Sequence, residues 1–266
     1  MHVIIIMLLS FGTNGCGQFG ASTLATTKLS GGRSGCTCVS ARALLPKELG
    51  GHIPRSVSAS PTCTALVTES GKCLCIGLSP LHTMASLGRN IIAPTVADIR
   101  FCRIACGHAH ILAVSERGEL WGWGDNSCLQ LGSVSIRDVT RPKRLGTLVP
   151  CKVIDIAAGK RHSIALGDTG AAYSWGSNEY GQLGIGEGRV HGPLSGAALC
   201  SVDAELNKVS AVTKKTGLSP KAVFNKCMAT AQRVAAEAPI AAVAAGWEHS
   251  AFVTKTGVIL TCGFGM

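Results

Sequence analysis

Short apolar runs alternate with polar, glycine-bearing turns along much of the chain. Ile111 to Val114 is apolar, Ser115-Glu116-Arg117-Gly118 is a polar turn, and Glu119 to Trp123 is a second run closed by Gly124. The same order recurs around Gly170 and around Gly257. Runs this short, bounded by turn residues, read as strands rather than helices. A glycine ending each turn suits a left-handed backbone position, which lets two antiparallel strands reverse tightly. Each unit therefore predicts a β-hairpin.

Laid over itself, the sequence shows an internal repeat. Residues 105–124, ACGHAHILAVSERGELWGWG, align without a gap on residues 157–176, AAGKRHSIALGDTGAAYSWG. Gly107 meets Gly159, His110 meets His162, Gly118 meets Gly170, Trp123 meets Trp175 and Gly124 meets Gly176. A third copy, residues 244–263, places Gly246, His249, Gly257 and Gly263 on the same positions. A fourth, residues 58–77, keeps Gly71 and Gly77 but carries Cys63 where the others have histidine. Two copies continue into a shared tail, Asn126 to Gly132 and Asn178 to Gly184, both ending Gln-Leu-Gly. Ser10 to Gly20 matches this tail through Phe11-Gly12, Asn14, Gly17, Gln18 and Gly20, so the preceding apolar run Val3 to Leu9 reads more economically as a strand of a partial repeat than as a secretory signal.

The closing glycines Gly12, Gly77, Gly124, Gly176 and Gly263 are spaced 65, 47, 52 and 87 residues apart. Periods of roughly 40 to 50 residues with strands inside mean a propeller or a solenoid. The small residues before each histidine permit close approach of neighbouring sheets, and Trp123 and Trp175 can fill the space between them. The expected fold is all-β: a propeller of four-stranded blades, incomplete or divergent, with four to five repeats in a single domain over 1–266. The repeats fall near 1–20, 58–80, 105–132, 157–184 and 244–266. Asn14 to Gly20 could supply the element that the last repeat lacks, but Val3 to Phe11 duplicates Val258 to Cys262, which leaves an open arc as an alternative to a closed ring.

The long interval before Gly263 predicts an insertion over 201–239. Ser219-Pro220 suits an N-cap followed by proline at the first helical position, and Val223, Phe224, Cys227, Ala231 and Val234 approximate one helical face, so a helix is expected near 220–236.

The pattern A-A-G-x-x-H, an apolar strand, a glycine-ended turn, and then W-G-x-N-x-x-G-Q-L-G resembles the repeat of the regulator of chromosome condensation family. The resemblance is specific in three copies and fragmentary in two, and residues 21–55 and 201–239 show no copy. It implies a β-propeller, typically seven-bladed, which at about 50 residues per repeat would need about 350 residues. At its most specific it implies guanine-nucleotide exchange on a Ran-like small GTPase, or a histone or chromatin partner. No exchange residue can be carried over, because only the structural repeat matches. A non-exchanging interaction or adaptor module is the alternative.

Composition narrows the chemistry. The 266 residues carry 25 Lys and Arg against 15 Asp and Glu, a net charge of +10 that favours acidic partners such as nucleic acid or acidic protein faces. Arg137, Arg141, Lys143 and Arg144, expected in a loop at the propeller rim, are the candidate partner-binding residues; such clusters are otherwise solvated loop faces. Non-specific contact with nucleic acid would follow from phosphate pairing alone. The 13 cysteines include no paired C-x2-C knuckle and read as buried thiols of a reducing compartment, with no metal site. His110, His162 and His249 recur at one repeat position, which indicates hydrogen bonding within the frame rather than a catalytic trio. No phosphate-binding loop, zincin helix or nucleophile elbow is present, so bond-making catalysis and cofactors are not expected. No apolar stretch is long enough to span a bilayer, and a nuclear or cytoplasmic setting fits the resemblance.

Overall fold

The computed structural model describes residues 8–13, 38–44, 49, 51–77, 91–92, 98–133, 138–146, 149–185 and 227–264. They form an all-β architecture of antiparallel sheets. The first sheet holds β1 (Leu8–Thr13) against β2 (Cys38–Leu44). The second is a blade of β3 (Pro54–Ala59), β4 (Cys63–Thr68), β5 (Cys73–Gly77) and β6 (Ile91–Ile92). The third comprises β7 (Phe101–Cys106), β8 (His110–Ser115), β9 (Leu120–Gly124) and β10 (Val139–Arg144). The fourth comprises β11 (Val153–Ala158), β12 (His162–Gly167), β13 (Ala172–Ser177) and β14 (Cys227–Arg233). The last has three strands, β15 (Ile240–Ala245), β16 (His249–Thr254) and β17 (Ile259–Gly263).

Each blade is a meander in which the repeat's hairpin supplies the second and third strands. The glycines ending those hairpin turns, Gly118, Gly170 and Gly257, take φ of +80°, +82° and +84°, a region that a side chain would strain. The first strand of each blade packs on the preceding blade: β7 on β3 and β4, β11 on β7 and β8, β15 on β11 and β12. Interior strands are therefore buried on both faces and read as continuous apolar runs; β8 and β12 are buried at every position. Trp123 and Trp175, at 1% and 0% exposure, fill successive seams. No comparable packing of the last sheet on the first blade exists among the described residues, so these sheets form an arc.

Two expectations change. The helix near 220–236 is not formed over Cys227–Arg233, which is the outermost strand of its blade, paired to β13 through Tyr173↔Arg233 and Gly176↔Met228. The outer edge of β13 carries backbone groups that need partners, and a strand satisfies them where a helix would not. Burial alternates accordingly, with Cys227 and Ala229 buried and Thr230 exposed. The expected insertion thus returns part of itself to the blade; residues 201–226 lie outside the described residues. Second, Arg141, Lys143 and Arg144 lie on strand β10 and not in a loop. Pro142 within it is tolerated because this strand is an edge, where a missing N–H costs no ladder bond. β1 pairs with β2, a strand absent from the repeat pattern. Val3 to Met7 and Asn14 to Gly20 lie outside the described residues.

Candidate functional site

The repeated residues converge on the seams between blades. His110 opens β8 and is fully buried; its Nε2 lies 2.9 Å from Ser163 Oγ on the next blade. Ser163 Oγ in turn donates to the Gln130 carbonyl at 2.7 Å. A serine hydroxyl has one proton, and here it is committed to the carbonyl, so the imidazole donates through Nε2–H. Nδ1 is then the bare nitrogen, buried without a partner. The arrangement recurs one blade on: His162 Nε2 donates to Ser250 Oγ at 3.0 Å, and Ser250 donates to the Gln182 carbonyl at 2.7 Å. Burial lowers the pKa of His110 to about 3 and that of His162 to about 4, so both stay neutral. A Cβ on Gly107 or Gly159 would overlap the ring of His110 or His162, respectively.

The same carbonyls take a second donor. Trp175 Nε1 reaches the Gln130 carbonyl at 2.8 Å, and Cys262, at the corresponding position of the last repeat, places Sγ 3.4 Å from the Gln182 carbonyl. The tails are braced by their own side chains: Asn126 and Asn178 accept from the Leu131 and Leu183 amides, while Gln130 and Gln182 accept from those of Cys128 and Tyr180. Gly246 and Gly263 keep their repeat positions, but His249 is exposed on β16, because no described sheet covers that face.

The predicted basic cluster is only partly assembled. Arg137 lies outside the described residues. Arg141, Lys143 and Arg144 are exposed, and Arg144 pairs with Glu119 at 2.9 Å.

A second surface was not anticipated. The two residues between glycine and histidine in G-x-x-H differ in every copy, and the fold gathers them at one end of the arc, beside the segments that leave each third strand. Trp247 is 48% exposed, with His108 at 4.9 Å between ring centroids and Lys160 Nζ 5.4 Å from its ring. Lys160 also pairs with Glu248 at 2.9 Å. Tyr180 and Phe264, likewise half-exposed, stand 5.3 Å apart at this end. Partial burial, then Lys160 and Arg161, depress the His108 pKa. The signal for this patch was the variability of those two positions inside an otherwise repeated frame.

Among the described residues no group of three His, Cys, Asp or Glu side chains could hold a metal ion, and no helix is long and apolar enough to cross a membrane. Burial raises the Cys73 thiol to about 12 and Cys75 further, so neither is a ready nucleophile.

Comparison with known proteins turns on the same residues. The model of the regulator of chromosome condensation (RCC1) repeat matches residues 101–130 and 153–182, and a second model of that repeat matches 117–166. Residues 101–182 thus carry divergent RCC1 repeats. The chain is 38% identical over 100 residues to the human probable E3 ubiquitin-protein ligase HERC4, a segment amounting to 37% of this chain and 9% of that protein. It is 34% identical over 107 residues to mouse protein RCC2, covering 38% of this chain and 21% of the relative. In fold it resembles Prp20p of Saccharomyces cerevisiae, with a TM-score of 0.67 at 20% identity, covering 97% of this chain and 53% of that one. Human WBSCR16 is similar at a TM-score of 0.66 and 17% identity, covering 97% of this chain and 61% of that one. The chain thus spans less than two thirds of each of these relatives. RCC1 repeats here build successive blades of the arc.

Proposed function

We propose that this scaffold binds a protein partner through the end bearing Trp247, Tyr180 and Phe264, and that its specialised role is guanine-nucleotide exchange on a Ran-like small GTPase or attachment to chromatin. The observation that carries the reading is the exposure of three aromatic side chains presented by adjacent blades on a rigid frame. Aromatic residues with a cation beside them are the usual anchors of protein interfaces. Exchange needs no bond-making chemistry; it needs a surface that binds the nucleotide-free GTPase more tightly than the loaded one. The similarity in fold to Prp20p, whose structure was described together with its binding to Gsp1p and histones, supports this specialisation. In this reading the seam residues, among them His110, His162, Trp123 and Trp175, hold the frame, while Arg141, Lys143 and Arg144, with Arg137, offer charge to an acidic partner in the nucleus or cytoplasm.

The alternative is an adaptor without exchange activity, because the likeness to Prp20p, at 20% identity, is one of fold. Release of labelled guanine nucleotide from Ran separates the two. Acceleration by the protein, lost in Trp247→Ala, is expected for an exchanger; an unchanged release rate at micromolar protein refutes exchange and leaves the adaptor.

A further inference from the structure

The opposite end of the blades, where second strands turn into third strands, carries a different surface. At the seam between β3–β6 and β7–β10, Glu116 accepts two cations: Arg55 at 3.1 Å and Arg100 at 3.2 Å. One repeat further along, Lys152 stands in the position of Arg100 and Asp168 in that of Glu116. The backbone contacts are the same in kind: Phe101 N donates to the Gly71 carbonyl and Val153 N to the Gly118 carbonyl, each at 2.9 Å. The charge pairing is not. The shorter Asp168 forms no ion pair among the described residues, and neither do Lys152, Arg103 or Arg117.

These groups line two adjoining grooves of about 720 and 480 Å³, and Arg117 and Lys152 border both. The first groove has an apolar wall of Leu145, Val149 and Pro150. Neither groove has an aromatic residue in its lining, so neither offers the platform on which bases of a single strand stack. Glu116, Glu119 and Asp168 are interspersed with the cations and would repel a continuous line of phosphates. Separate carboxylates on an extended chain can avoid them.

We propose that this second seam is a docking groove for an acidic polypeptide segment, in which a partner's carboxylate takes the place that Glu116 fills at the first seam. The carboxylate bridges Lys152 and Arg117 or Arg103, and an apolar side chain next to it rests on Leu145, Val149 and Pro150. This site lies at the other end of the blades from the aromatic surface and does not depend on the exchange reading.

The test uses fluorescence anisotropy with the whole chain, a fluorescein-labelled Glu- and Leu-containing peptide, and duplex DNA as a separate probe. The peptide is expected to bind in a salt-dependent manner, and Arg117→Gln with Lys152→Gln to weaken it by about tenfold or more, as for loss of a charge-assisted hydrogen bond. Asp168→Glu, which restores the reach that Glu116 has, is expected to occupy Lys152 internally and weaken the peptide without lowering the thermal midpoint. Trp247→Ala is expected to leave this binding unchanged. No peptide binding, equal binding by the Arg117/Lys152 variant, or DNA binding tighter than the peptide and lost in that variant would overturn the proposal.

Discussion

Two neighbouring seams of this arc are held by different chemistry in the same geometry. Between the third and fourth sheets, His110 faces Ser163 across the seam and the pair ends on the Gln130 carbonyl. Between the second and third, Cys63 stands at the histidine position and Ile111 at the serine position, buried in one apolar cluster. Both halves of the polar pair have been exchanged together. Losing one alone would bury an unsatisfied donor or acceptor at a cost of about 1–3 kcal/mol, whereas replacing both by apolar groups can be nearly neutral. The histidine of this repeat is thus half of a contact whose other half belongs to the next blade. The fourth copy diverged as a pair of residues, which is why it reads as decayed in sequence and yet packs tightly.

The comparison can be broken most severely at the polar seam's hub. Trp175→Ala removes the largest side chain there together with the second donor to the Gln130 carbonyl, and should cost about 3–5 kcal/mol in denaturant unfolding. Ser163→Ala leaves the Nε2–H of His110 without an acceptor and should cost about 1–3 kcal/mol. The matching change in the apolar seam, Ile111→Ser, should also destabilise, because Cys63 stands where a histidine would donate to the new hydroxyl.

Acidity sharpens the contrast next. His110 and His162 have folded pKa values of about 3 and about 4, below the ordinary histidine value of 6.5. The unfolded chain therefore takes up protons first as pH falls. The stability contributed by neutral burial is complete above pH about 6.5 and declines below it, by at most about 1.4 kcal/mol per pH unit for each histidine. Unfolding midpoints compared at pH 7 and pH 5 should show this decline, and it should shrink in the His110→Cys, Ser163→Ile double variant. Arg144→Ala, which removes an exposed ion pair at the blade edge, should change stability by less than about 1 kcal/mol.

The hairpins were legible because each carries its own local chemistry: an apolar run, a glycine that must turn left-handed, and a second apolar run. The outer strands were not. Cys227–Arg233 is rich in residues that favour a helix, and only the open edge of β13 makes it a strand. Val139–Arg144 carries Pro142 and three cations, which read as a loop until the position at a sheet edge is known. At the candidate interface the difficulty was the reverse. Tyr180 and Phe264, like His108 and Trp247, are far apart in sequence and singular within their repeats; each pair meets because segments of different blades lie side by side at one end.

Whether the recurrent histidine works as one side of a contact between blades is tested most directly by a double-mutant cycle in chemical denaturant on His110→Cys and Ser163→Ile. Coupling of at least about 1 kcal/mol is expected, with the double variant more stable than the sum of the single losses allows. Strict additivity of the two substitutions would contradict it.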